Sequence, residues 1–128
     1  MTEAQIALAC RAVAAPGWRW MRGMRIAGTK FASVVAVRDG APCGAEEGAT
    51  CDDNAAVWLD EWTTPMLPDL SDPLTALGLL ALVREQWGVA AHCMQAVDRC
   101  WYVWVEFRLV TGANTETEAL IAALEAAP

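Results

Sequence analysis

Residues 71–88 place the strongest condition on how this chain can fold. Ser71 or Asp72 supplies a helix N-cap, Pro73 stands where a first-turn proline is tolerated, and Gly88 offers a stop. Between these signals the helix has no polar face. Leu74, Leu77 and Ala81 fall on one side and Leu79, Leu80 and Val83 on others. Polar residues appear mainly in the last turn, at Arg84, Glu85 and Gln86. A helix that is apolar all round is buried on more than one side. It is expected to be the central helix of the domain, with Leu80 inside the core. The alternative is half of an oligomer interface.

A chain of 128 residues is one domain's worth, and residues 1–128 are expected to form a single domain. At this size folding buries roughly two-thirds of the unfolded surface, enough for a core without disulfide or metal staples. The apolar fraction of 55% argues against disorder. The N-terminus lacks the basic start and apolar core of a signal peptide. The longest near-apolar run, residues 74–83, is about half of what a membrane span needs. The expected compartment is the one of synthesis, a reducing cytoplasm, with no membrane partner. Five cysteines, an odd number, argue against a disulfide framework and for reduced thiols.

Charge is distributed unevenly. Residues 1–40 carry six bases against two acids, whereas residues 41–72 carry eight acids and no base. A net charge of −7 does not suit direct contact with nucleic acid, which needs clustered Lys and Arg. The acidic stretch suits a protein partner with a basic surface, or is a solvated loop.

The other elements follow from caps and periodicity. Thr2 with Gln5 forms a capping box, and Ile6, Ala9, Cys10 and Val13 then make a stripe ended by Pro16 and Gly17. Strands are predicted over residues 18–26, 31–38, 57–62, 91–97 and 101–109, with an exposed loop over 40–54. The last strand alternates clearly, Trp101, Val103, Val105, Phe107 and Leu109 against Tyr102, Trp104, Glu106 and Arg108. Thr115 and Glu118 cap a closing helix with Leu120, Ala123, Leu124 and Ala127 inward. The order α-β-β-β-α-β-β-α, with strands in groups, predicts an α+β fold. Its antiparallel sheet has about five strands, with helices packed on one face.

Catalytic signals are sparse. His92 is the lone histidine, and its neighbour Cys93 points to the opposite face of a strand, so the pair is no dyad. Cys43, Cys51, Cys93 and Cys100 are spaced too widely for an ordinary zinc site. No phosphate-binding glycine loop occurs. No catalytic residue, metal or cofactor is expected. Seven tryptophans are many for this length. Trp58, Trp62 and Trp104 share strand faces with polar neighbours. Together with Asp52, Asp53 and Asp60 they form the candidate partner-binding set, tryptophan being frequent at binding hot spots. The structural alternative is core tryptophans beside a solvated loop.

Residues 17–25 (GWRWMRGMR), 68–73 (PDLSDP) with 79–88 (LLALVREQWG), and 115–128 (TETEALIAALEAAP) resemble an uncharacterised family of short proteins encoded by tailed bacteriophages and prophages. The resemblance covers about a third of the chain. Arg22 stands where that family tends to carry proline, and the run at Leu77-Gly78 differs slightly. The resemblance implies a phage origin and transfers no site residue. The first expectation is therefore a non-enzymatic phage accessory protein that binds a host or phage protein, with inhibition of a host defence complex as one role. The alternatives are a small enzyme using His92 or a cysteine, and a self-associating virion or assembly component.

Overall fold

The computed structural model describes residues 2–27, 33–38, 41–45, 57–58 and 67–128. The fold is α+β. Its order is α1 (Glu3–Ala14), β1 (Ser33–Arg38), β2 (Ala41–Ala45), β3 (Val57–Trp58), α2 (Pro73–Trp87), β4 (Ala91–Gln95), β5 (Trp101–Val105), β6 (Arg108–Ala113) and α3 (Glu116–Glu125). The described strands form two three-stranded antiparallel sheets, β1-β2-β3 and β4-β5-β6, where one sheet of about five strands was expected. The chain divides into two compact units, one of residues Met1–Ala9 and Arg19–Gly78, the other of Cys10–Trp18 and Leu79–Pro128.

In the first unit, β1 pairs with β2 from Ser33 opposite Ala45 to Arg38 opposite Ala41, on either side of Asp39-Gly40. The strand β2 falls inside the expected loop. Its Ala, Pro and Gly residues have low strand propensity, so the sequence did not mark it. Among the described residues β3 pairs with Cys43 and Gly44 and not with Pro42, a position where proline is tolerated.

Residues 18–26 are not a strand, apart from an isolated bridge between Ile26 and Pro68. Gly23 adopts a φ of 93°, which breaks the extended run. The backbone groups of this segment bond outward. Gly23 N–H donates to Val34 O (2.8 Å), Val34 N–H to Met24 O (2.8 Å), Ala27 N–H to Leu67 O (2.9 Å) and Asp69 N–H to Arg25 O (2.8 Å). Arg25 N–H donates to the hydroxyl of Thr75 at 2.9 Å. Trp20, Met24 and Ile26 are thereby buried. Met24 lies so close to Gly78 that a Cβ there would come within 2.9 Å of its Cγ.

The capping signals were read correctly. Gln5 N–H donates to Thr2 Oγ1 (3.2 Å) while Thr2 N–H donates to Gln5 Oε1 (2.8 Å). Asp72 caps α2 through the N–H of Thr75 (3.0 Å), and Gly88 ends it with φ 103°. Thr115 caps α3 through the N–H of Glu118 (3.2 Å). The stripe on α1 is shifted from the one expected. Ala9, Ala12 and Ala15 are buried, whereas Ile6 and Cys10 are exposed. Small side chains therefore face inward here.

In the second unit, β4, β5 and β6 form a meander with α3 packed on it. The pairing of Ala91 with Val105 and of Cys93 with Val103 sets one face. Val103 is fully buried on it, and Thr111, opposite Val103, donates from Oγ1 to Ala119 O of α3 at 2.9 Å. The α3 residues Ala119, Leu120, Ile121, Ala123 and Leu124 are all buried. Two further bonds tie α3 into this unit: Trp87 Nε1–H donates to Ala123 O (2.9 Å), and Arg11 pairs with Glu125 at 2.5 Å. The expected long strand over 101–109 is two strands. Glu106 and Phe107 reverse the chain, with Glu106 at φ 55° and Phe107 wholly exposed. Leu109 thus lies opposite Trp104, on the face the alternation had denied it.

Candidate functional site

The site is the face of β4-β5-β6 that points away from α3. Alternation puts Cys93, Val103 and Thr111 toward α3, so His92, Met94, Tyr102 and Trp104 occupy the other face. A bulge between Val103 and Trp104 then brings Leu109 beside Trp104 on that same face. Met94 is 50% exposed and Leu109 48%. A cavity of about 360 Å³ opens here, lined by Met94, Ala96, Asp98, Tyr102, Trp104 and Leu109. It is apolar except for Asp98 and the hydroxyl of Tyr102.

The β4-β5 turn positions the polar end. Arg99 takes a φ of 67° and donates its N–H to Ala96 O at 2.9 Å, while Ala96 N–H donates to Cys100 O at 3.0 Å. This geometry presents Asp98 to both sides of the turn. Its Oδ1 accepts the Cys100 N–H (2.9 Å), and its Oδ2 accepts the Tyr102 hydroxyl (2.6 Å). The ring of Tyr102 lies over Gly112, where any Cβ would stand 2.8 Å from it. Tyr102 also lines a second cavity of about 470 Å³, with Cys100, Gly112, Ala113, Asn114 and Glu118.

These bonds shift both titrations. Donation from Tyr102, then from the Cys100 N–H, lowers the pKa of Asp98. The hydrogen bond to Asp98, then desolvation, raises Tyr102 from its ordinary 10.0 to about 12. The contribution of the pair to stability is thus present at neutral pH. It fades as pH rises through the raised tyrosine value, and as pH falls through the lowered carboxylate value. Tyr102 is the single tyrosine, so its absorbance titration reports this bond alone. The midpoint is expected well above that of free tyrosine, and Asp98→Asn should bring it down. Ordinary midpoints in both proteins would show that the bond is absent in solution.

Among the described residues, His92 and Cys93 do not converge. His92 lies on the open face with Nδ1 3.3 Å from Ala90 O. Cys93 points the other way, as alternation requires, and burial followed by the field of Glu116 raises its thiol to about 11. At neutral pH it is the protonated, weakly nucleophilic form. Cys10, Cys93 and Cys100 are free thiols; Cys43 lies in β2 opposite Trp58, and Cys51 lies outside the described residues. Among the described residues no group of three His, Cys, Asp or Glu could hold a metal ion, and no helix is long and apolar enough to cross a membrane.

Comparison with known proteins brought no relative: no family model, no curated protein and no solved structure matches the chain. These comparisons add nothing to the resemblance to phage-encoded proteins.

Of the expected contact residues, Trp104 is placed on the open face, and Trp58 lies in β3. Asp52, Asp53, Asp60 and Trp62 lie outside the described residues. Sequence reasoning missed Met94, Asp98 and Leu109. Leu109 was hidden by the turn at Glu106-Phe107, which has no glycine, proline or asparagine. Asp98 carried a signal in its spacing: an acid four residues before the only tyrosine, across a turn.

Proposed function

We propose that this chain is a non-enzymatic binding protein whose partner is another protein, engaged through the open face of β4-β5-β6. The observation that supports it most is the cavity over Met94, Tyr102, Trp104 and Leu109. An aromatic and aliphatic face with one ionised carboxylate at its end suits a protein surface, because such side chains supply most of the energy at binding hot spots. The resemblance to phage-encoded proteins extends the proposal to a phage accessory role in a bacterial cytoplasm. There the partner is a host or phage protein, a defence complex being one example. The acidic segment with Asp52, Asp53, Trp58, Asp60 and Trp62 remains part of this proposal as a steering field for a basic partner surface.

Self-association is the second reading, favoured by Leu74 and Leu77, which are exposed on α2. The test compares proteins retained from a host lysate by the parent chain and by folded Trp104→Ala. A partner held by the parent should be lost at least tenfold from the variant, the scale of a hot-spot truncation of about 2 kcal/mol. Equal retention by both would overturn the proposed face.

A further inference from the structure

We infer, resting on that reading, that the groove takes a partner segment in which a bulky aliphatic side chain stands beside a lysine or arginine. The aliphatic group lies against Met94, Trp104 and Leu109, and the cation meets Asp98. The cavity has room for such a group, since about 360 Å³ falls at the small end of ligand-sized clefts. Its apolar walls and its acidic end belong to one depression, lined by Asp98 at the turn and Leu109 on the far strand. Asp98 is the only carboxylate in that lining. Each of its oxygens accepts one bond from the protein, from Cys100 N–H and from the Tyr102 hydroxyl. A carboxylate has about four lone-pair positions, so acceptor capacity remains for an incoming ammonium or guanidinium. Among the described residues Arg99, in the same turn, forms no ion pair with it; its backbone N–H donates to Ala96 O and its carbonyl accepts from Gln95 Nε2. Tyr102 and Trp104 line the same space, and aromatic rings there favour a cation further. An acidic neighbour on the partner would instead face Asp98 across the groove, and the overall charge of −7 works in the same direction.

Three small probes test this: the N-acetyl amides of Leu-Arg, Leu-Gln and Leu-Glu. Each is titrated at millimolar concentration against the full-length protein while the indole N–H resonance of Trp104, assigned from Trp104→Phe, is followed. Leu-Arg should move that resonance saturably and bind about two- to fivefold more tightly than Leu-Gln, the worth of an exposed ion pair, with Leu-Glu weakest. Asp98→Asn should erase the preference for Leu-Arg and leave Leu-Gln unchanged. Equal affinities for all three probes would overturn the basic neighbour, while the face as a docking site stands. No movement with any probe, beside a partner whose retention still depends on Trp104, would overturn the inference and leave the function reading intact. A partner retained regardless of Trp104 would overturn that reading itself.

Discussion

Leu82→Asp is expected to abolish folding, whereas Leu77→Asp should leave a folded protein. Both residues sit in the middle of α2, five positions apart, yet Leu82 is fully buried and Leu77 is 61% exposed. An unpaired charge at a buried position costs several kcal/mol, comparable to the 5–15 kcal/mol that typically holds a domain together. The milder Leu82→Ala should keep the fold and lose about 2–5 kcal/mol through lost contacts and the cavity left behind. Urea midpoints followed by circular dichroism measure all three. A cooperatively folded Leu82→Asp protein would show that this side of α2 is not core. Leu80, expected inside the core, is only half-buried. Its replacement should cost less than that of Leu82.

The second large effect is expected at Thr75. This is the one polar residue in the first half of α2, and it is fully buried while Leu74 and Leu77 beside it are exposed. The reason lies in its hydroxyl, which accepts the N–H of Arg25 at 2.9 Å and lies 3.4 Å from Asp72 Oδ2. Valine has the same shape but no acceptor. Thr75→Val should therefore strand the Arg25 N–H and cost about 1–3 kcal/mol. Thr75→Ser keeps the hydroxyl and should cost about 1 kcal/mol, for one lost methyl. Denaturant unfolding of the pair decides the matter. If valine is tolerated as well as serine, the bond contributes nothing net and the burial of Thr75 has another cause.

These two residues also show how far the sequence could be read. The ends of α2 were legible because Asp72, Pro73 and Gly88 act locally, through side-chain oxygen, fixed φ and positive φ. Its buried side was not, because a helix that is apolar all round has no periodicity to set the phase. The stripe Thr75, Leu79 and Leu82 was chosen by tertiary partners, Arg25 among them. The same holds for residues 18–26. Large side chains suggested a strand, but the segment bonds to four separated places through an irregular backbone. The strand β5 was legible from its alternation, which puts Trp104 on the same face as Tyr102. The place of Leu109 depended on reversing the chain at Glu106-Phe107, where an acid in the left-handed region gives no compositional warning.

Oxidative footprinting of the complex with its captured partner tests the central claim most directly. Hydroxyl radicals label exposed Met, Trp, Tyr and Leu side chains, and the two candidate surfaces differ in which of these they hold. If the open face of β4-β5-β6 is the contact, Met94, Tyr102, Trp104 and Leu109 should be protected on binding, while Leu74 and Leu77 of α2 react as in the free protein. Unchanged reactivity across the sheet face, with protection at Leu74 and Leu77, would contradict the account and move the contact to α2.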